Sequence, residues 1–419
     1  MRSSSEPDAR TVRAFLEDHH LELAERVGAF AASEIAPRPE PADDAEAREE
    51  ARRLVGLVGA GGWLTAIGEP DLRACCLIRE ALAAASPLAD AVFALQALGG
   101  TPLLLAPELD RAAGEPSERG HAAGEPEFAA RWLARILDGS AIGAFAMTEP
   151  EAGSDVASLT TRAERRGDEY VLNGRKSLIS NAGIADVYTV FASTDPAAGS
   201  RGISCFLVPA GTEGLRFIGP QVLSEPHPLG EIAFEECAIP SEQRVGPEGR
   251  GFKLGMMTLD RLRPTVAAAA CGMASRALAE ALRHATQRRQ FGQPLGDFQL
   301  IQEKLGRMAI ALDAARLLTY RAAWEKDMGA ERITLEASMA KAFATEAAQR
   351  IVDDAVQILG GRGVLAESPV DRLYRAVRAL RIYEGTTEIQ HLIIARHLLE
   401  GATTAETATT AEGGSEGPA

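Results

Sequence analysis

A chain of 419 residues with 46% hydrophobic content is too long for one small core and too apolar to stay unfolded, so two or three packed domains are expected. Its net charge of −15 excludes a broad phosphate-binding surface, and with it nucleic acid or an anionic membrane as partner. Five scattered cysteines, without a CxxC pair or a His cluster, give no metal-ligand spacing and point to a reduced, cytoplasmic compartment.

The N-terminus "MRSSSEPDAR" has no apolar stretch after its Arg, and no later run reaches the ~20 apolar residues of a membrane span. Apolar residues then recur at helical spacing in "TVRAFLEDHHLELAERVGAFAA", "LIREALAAASPLADAVFALQAL" and "FAARWLARIL", which predicts a helical domain over 1–140. Two breaks interrupt it, the charged "PRPEPADDAEAREE" and the AAGEP-repeating "AAGEPSERGHAAGEP"; both read as mobile surface loops.

Between 141 and 245 the texture changes to short alternating or β-branched runs such as "AIGAFAM", "VYTVFAS", "GISCFLV" and "EIAFEE", which predicts a β domain. In "EYVLNGRKSLIS" the Asn-Gly pair predicts a hairpin with a type I′ turn. Long amphipathic blocks return over 246–400 as a helical bundle, and the polar tail 401–419 has nothing to bury and is expected to be disordered.

Four stretches could carry chemistry. In "RIYEGTTEIQ" a carboxylate, Glu384, sits between the apolar pair Ile382 and Tyr383 and a glycine. It reads either as a helix-capping loop glutamate or as a general base whose dry neighbours raise its pKa, with Gly385 permitting close approach to the backbone. "FAMTEPEAGSD", leaving the first strand, is a turn or a loop offering N–H groups and the hydroxyls of Thr148 and Ser154 to a flat heteroaromatic ring. "RRQFGQPLGDFQ" is an interhelix turn or a phosphate site around Arg288 and Arg289, and "QILGGRG" is a helix C-cap or a close approach to phosphate. The histidines lack ligand or triad spacing, with His227 kept as a residue that could line a site. No GxGxxG or Walker sequence stands at a strand-to-helix turn, which disfavours Rossmann and P-loop enzymes.

In this order and at these separations the four motifs resemble the acyl-CoA dehydrogenase family, from about 20 to 400. The resemblance implies an α+β multidomain fold with an N-terminal helical domain, a middle β-barrel or sandwich and a C-terminal four-helix bundle, and a homotetramer or homodimer holding FAD at a subunit interface. It implies FAD-dependent α,β-dehydrogenation of an acyl thioester, on CoA or on acyl-carrier protein, with an electron-transferring flavoprotein as acceptor. Glu384 matches the family's base. Phe145, Met147, Thr148, Ser154, Leu178, Ile179 and Ser180 would line the flavin; Arg288, Gln290, Phe298, Gln299, Gln357, Gly360, Gly361, Thr386 and Glu388 would hold its adenine and pyrophosphate end. Ser154, Asp260, Arg263, Tyr383 and Gly385 would meet the substrate. Leu178 and Ser180 depart from the aromatic and the Thr usual there, which opens an oxidase as an alternative; an inactive relative acting as a binding module is the reading of a different class. "PLADAVFALQALGG", "EPHPLGEIAF" and "RALRIYEG" look most like members acting on cyclic or branched thioesters, such as cyclohexanecarboxyl-CoA dehydrogenases.

Overall fold

The structure, a computed structural model, describes residues 7–112 and 125–412. The N-terminal apolar periodicity becomes α1 (Asp18–Phe30), α2 (Asp44–Ala60), α3 (Leu72–Ala85), α4 (Pro87–Ala112) and α5 (Glu125–Leu137). The charged break is shorter than its composition implied. Asp43 accepts the Glu46 N–H at 2.9 Å and caps α2, so the acidic run behind it is helix. The AAGEP break lies almost wholly outside the described residues. α4 is the core's most apolar helix, and Pro87–Arg111 is long and apolar enough to cross a membrane by length and composition alone. In its 18-residue apolar window 72% is buried inside the fold, so its apolarity serves the core.

The β domain holds β1 (Gly143–Ala146), β2 (Arg162–Arg166), β3 (Glu169–Ser180), β4 (Val187–Ser193), β5 (Ile203–Pro209), β6 (Leu215–Pro220), β7 (Leu229–Pro240) and β8 (Arg244–Val245). The order is β6-β7-β3-β2-β4-β5-β8, with β1 parallel to β4. A single pair, Arg162 with Ser193, joins β2 to β4. The two halves so hinged share a core in which the Tyr170 and Phe206 rings meet at 4.9 Å. The Asn-Gly hairpin is not formed. β3 runs on through Asn173 and Gly174, with a bulge between Leu172 and Gly174. A Cβ on Gly174, at φ +149°, would lie 2.5 Å from Thr161 Oγ1, so the segment leading into β2 demands this glycine. The tight turn is at Gly167 and Asp168, between β2 and β3.

The C-terminal helices are α6 (Gly251–Gln287), α7 (Gln299–Asp327), α8 (Thr334–Leu359), α9 (Pro369–Leu380) and α10 (Thr387–Glu412). An alanine seam, with Ala267, Ala270, Ala274 and Ala277 on α6 and Ala340, Ala344 and Ala347 on α8, lets these helices pack closely. α10 extends past 400 into the expected disordered tail, and 413–419 lie outside the described residues. Buried Glu80 on α3 accepts from Arg316 Nε at 2.8 Å and Tyr320 Oη at 2.9 Å, tying the N-terminal helices to α7. Elements of all three regions converge on one cleft.

Candidate active site

The cleft encloses about 400 Å³. Leu88, Ala91, Leu95 and Leu98 form an apolar wall along one face of α4, at the spacing of an amphipathic helix. Phe145, Met147 and Thr148 bring the end of β1 to it, and Leu178, Ile179 and Ser180 bring the end of β3. Ile382, Tyr383, Glu384 and Gly385 close it from the turn between α9 and α10.

The loop after β1 is fixed from below. Glu149 is buried and accepts from Lys176 Nζ at 2.8 Å, Thr160 N at 2.6 Å and Thr161 N at 2.9 Å, while Lys176 also donates to the Met147 carbonyl at 3.1 Å. Burial works to raise the Glu149 pKa, but the Lys176 ammonium and these donors outweigh it and hold the carboxyl at about 2. Thr148 is thus presented to the cleft on a braced backbone.

Glu384 adopts φ +56°, a left-handed conformation that costs a non-glycine residue on the order of 1–2 kcal/mol. Four donated hydrogen bonds hold it there. Arg263 Nε reaches the Glu384 carbonyl at 3.2 Å, Gln390 Nε2 reaches both the Glu384 and Gly385 carbonyls at 3.1 Å, and Lys341 Nζ reaches Gly385 at 2.7 Å. Gly385, at φ +92°, holds a conformation that strains any side chain, and a Cβ there would lie 2.4 Å from Gln390 Nε2 and displace it. The side chain is treated differently, since its Oε2 is buried without a hydrogen-bond partner. Desolvation raises the Glu384 pKa, against the pull of Arg79, Arg263 and Lys341. The Glu384 N–H also donates no hydrogen bond among the described residues. An unpaired carboxylate beside a free N–H can take a proton and stabilise an adjacent developing oxyanion.

Of the expected flavin-lining residues only Ser154 misses the cleft; its neighbour Gly153 is in it. Walls bearing the Thr148 and Ser180 hydroxyls fit a flat ring with polar edges, so the isoalloxazine half of FAD is accommodated. Arg288, Gln290, Gln299, Gln357, Gly360, Gly361 and Glu388 are exposed, Phe298 and Thr386 half-buried, and none lines the cleft. Arg263, expected at the CoA portion, is 5% exposed and turned inward, paired with Asp260; Asp260 also accepts from Thr334 Oγ1 at 2.7 Å.

Sequence reasoning missed Arg79, Asp90, Lys341, Gln390 and Glu225. Arg79 and Asp90 form a buried bidentate pair at 2.7 and 2.9 Å, with Asp90 on the cleft wall. The available signal was a charge inside an otherwise apolar helix, as in "CCLIREALAAA". His227 does line the cleft, 3.3 Å from Ser180 Oγ, and burial pushes its pKa down to about 4. His19 and His20, set aside for want of spacing, converge on Asp71 at 3.3 and 3.1 Å. Glu17 N donates to His20 Nδ1, which leaves the His20 proton on Nε2 for Asp71 and makes this a structural brace.

The descriptions "acyl-CoA dehydrogenase, middle domain" and "acyl-CoA dehydrogenase, C-terminal domain" match residues 144–237 and 249–399. The probable acyl-CoA dehydrogenase fadE25 of Mycobacterium bovis is 35% identical over 393 residues, 92% of this chain and 96% of that protein. The structure of butyryl-CoA dehydrogenase from Megasphaera elsdenii aligns with TM-score 0.81 and 34% identity, covering 92% and 99% of the two chains. The FAD complex of PigA aligns at TM-score 0.79 and 29% identity, covering 91% and 98%.

Proposed function

The chain belongs to the acyl-CoA dehydrogenase family, and from that premise we propose that Glu384 is the base that removes the α proton of a thioester seated in the cleft. The reaction is FAD-dependent α,β-dehydrogenation of an acyl-CoA, an oxidation of a CH–CH pair to a trans-2-enoyl thioester. Bound FAD supplies the hydride acceptor for the β carbon. Phe145, Met147, Thr148, Leu178, Ile179 and Ser180 would hold its ring.

The observation that carries the assignment is the orphaned Glu384 Oε2 in the cleft. Arg263, Gln390 and Lys341 fix the backbone and leave the carboxylate free to take the proton. The free Glu384 N–H would donate a hydrogen bond to the thioester oxygen as negative charge develops there. Burial of the Glu384 carboxyl limits water around it, which strengthens the base. Glu384→Gln keeps shape and removes basicity, and should slow anaerobic bleaching of the bound flavin by an acyl-CoA about 10²–10⁴-fold. Bleaching at an undiminished rate would refute the role.

Exposure of the adenine-end residues supports a homotetramer or homodimer in which a second subunit covers them. Phe291, between Arg288 and Phe298, is 95% exposed, and Leu300 is 79% exposed. An electron-transferring flavoprotein is the acceptor this reading favours; Leu178, on the cleft wall yet 56% exposed, offers an edge for transfer. All five cysteines are buried and unpaired, which supports a reducing cytoplasm.

A further inference from the structure

The proton and hydride steps give His227 no task, yet the fold takes trouble to place it. It stands half-buried on the loop 221–228 between β6 and β7, and its Nε2 lies 3.3 Å from Ser180 Oγ at the end of β3. Both residues line the cleft. Their backbones are fixed to one another: Ser180 lies opposite Leu229 in the β3–β7 ladder, and Asn181 N donates to the Pro228 carbonyl at 2.8 Å. Arg48 on α2 closes the pair from outside, with Nη1 on the Ala182 carbonyl and Nη2 on the Leu229 carbonyl, both at 2.6 Å. At the other end of the loop Gln221 accepts the Leu178 N–H at 2.6 Å and donates to Ser177 Oγ at 2.9 Å. One guanidinium and one amide thus stitch the loop to β3 on both sides of Ser180.

We infer that His227 is a positioning residue for the flavin: its Nε2–H donates to Ser180 Oγ and so keeps the Ser180 hydroxyl proton for the bound ring. The inference rests on Ser180 lining the flavin and assigns what sets the direction of its hydroxyl. Burial pushes the His227 pKa down to about 4, with Arg48 acting the same way and Asp44 against it, so the ring is neutral and has one N–H and one lone pair. Nδ1 meets no hydrogen-bond partner among the described residues. An unpaired lone pair costs less than an unpaired N–H, which puts the proton on Nε2, facing Ser180. A serine hydroxyl left alone rotates and serves a ligand as donor or acceptor; with His227 donating to its oxygen, it is held as a donor. Reduction adds electron density to the isoalloxazine, so a fixed donor stabilises reduced flavin more than oxidised and raises its potential.

The reduction potential of the holoenzyme, measured by anaerobic dye titration without thioester, tests this apart from turnover. His227→Phe fills the space of the imidazole and removes the donor. The equilibrium between the two flavin forms should move about 10-fold towards the oxidised one, about 30 mV for a two-electron couple. Ser180→Ala should lower the potential at least as far, and His227→Phe added to it should lower it no further, because His227 acts only through Ser180. His227→Gln, whose amide N–H reaches Oγ, should recover most of the loss; His227→Asn, whose amide falls short, should match His227→Phe and replaces it if the larger ring disturbs folding. An unchanged potential in both the Phe and Asn variants overturns the inference. So does a drop that persists undiminished beside Ser180→Ala, which is what loosened packing alone would give. Failure of the premise is distinct: unsubstituted protein that binds no FAD sinks the flavin site and this inference together, whereas a yellow protein whose potential ignores His227 sinks the inference alone.

Discussion

Gly385→Ala tests whether the turn bearing Glu384 is held as its contacts imply. An alanine at φ +92° takes up a left-handed conformation, at about 1 kcal/mol. Its Cβ would meet Gln390 Nε2 at 2.4 Å, so Gln390 must withdraw from both the Glu384 and Gly385 carbonyls. Two hydrogen bonds at about 1 kcal/mol each bring the total to about 3 kcal/mol. The apparent Tm of the holoenzyme should fall by about 3 °C, and flavin reduction should slow about 10²-fold as the carboxylate shifts. Gln390→Ala alone should cost about 2 kcal/mol, and the double variant about 3 kcal/mol, a coupling of about 2 kcal/mol in a thermodynamic cycle. An additive double variant, or Gly385→Ala with an unchanged Tm, would refute the clamp.

Three further outcomes follow from the same contacts. Because burial raises the Glu384 pKa, the acid limb of the pH profile of kcat/KM should lie above the ordinary carboxylate value of about 4.3, activity rising with pH; Lys341→Met removes a charge that opposes the rise and should move the limb higher still. Glu149 has a folded pKa of about 2, below its unfolded value, so its contribution to stability is full above the unfolded pKa and is lost as pH falls through the folded one. Glu149→Gln, leaving Lys176 buried and unpaired, should destabilise by about 3–5 kcal/mol at neutral pH and flatten acid denaturation in that window; an unchanged acid transition speaks against it. Phe291→Asp should shift the protein to smaller species in sedimentation and weaken FAD retention, whereas an unchanged assembly removes that face from the interface.

What the sequence showed and what it hid divide along the range of the forces involved. Glu384 was legible because its neighbours, Ile382, Tyr383 and Gly385, are adjacent in the chain, and their apolarity alone makes a carboxylate conspicuous. The helical and β textures were legible for the same reason, each being a local period. Asn173-Gly174 misled because a turn signal is also a signal for any place where a Cβ cannot fit, and Thr161, just before β2, decided which. The acidic run from Asp44 misled because composition without its cap resembles a linker; Asp43 turns it into helix. Of the residues that grip the turn, Gln390 lies within the same motif, but Arg263 and Lys341 stand far off in the chain on two other helices, so only the fold brings them to it.

The division of labour in that grip explains how a strained turn and an effective base coexist. A cation placed directly on the Glu384 carboxylate would stabilise the loop, but it would also stabilise the ionised form and weaken the base. Here Arg263, Lys341 and Gln390 all donate to backbone carbonyls, so the cost of φ +56° is offset through the main chain while Oε2 stays unpaired. Arg263 is further neutralised by its pairing with Asp260, which limits how far its charge can lower the Glu384 pKa. Charge still reaches the carboxylate through space, from Arg79, Arg263 and Lys341, yet desolvation remains the larger effect. Position is thus set by hydrogen bonds to the peptide and basicity by the dryness of the cleft. Changes in the grip should therefore act first on geometry and rate, and changes in the apolar wall first on the pH at which the base works.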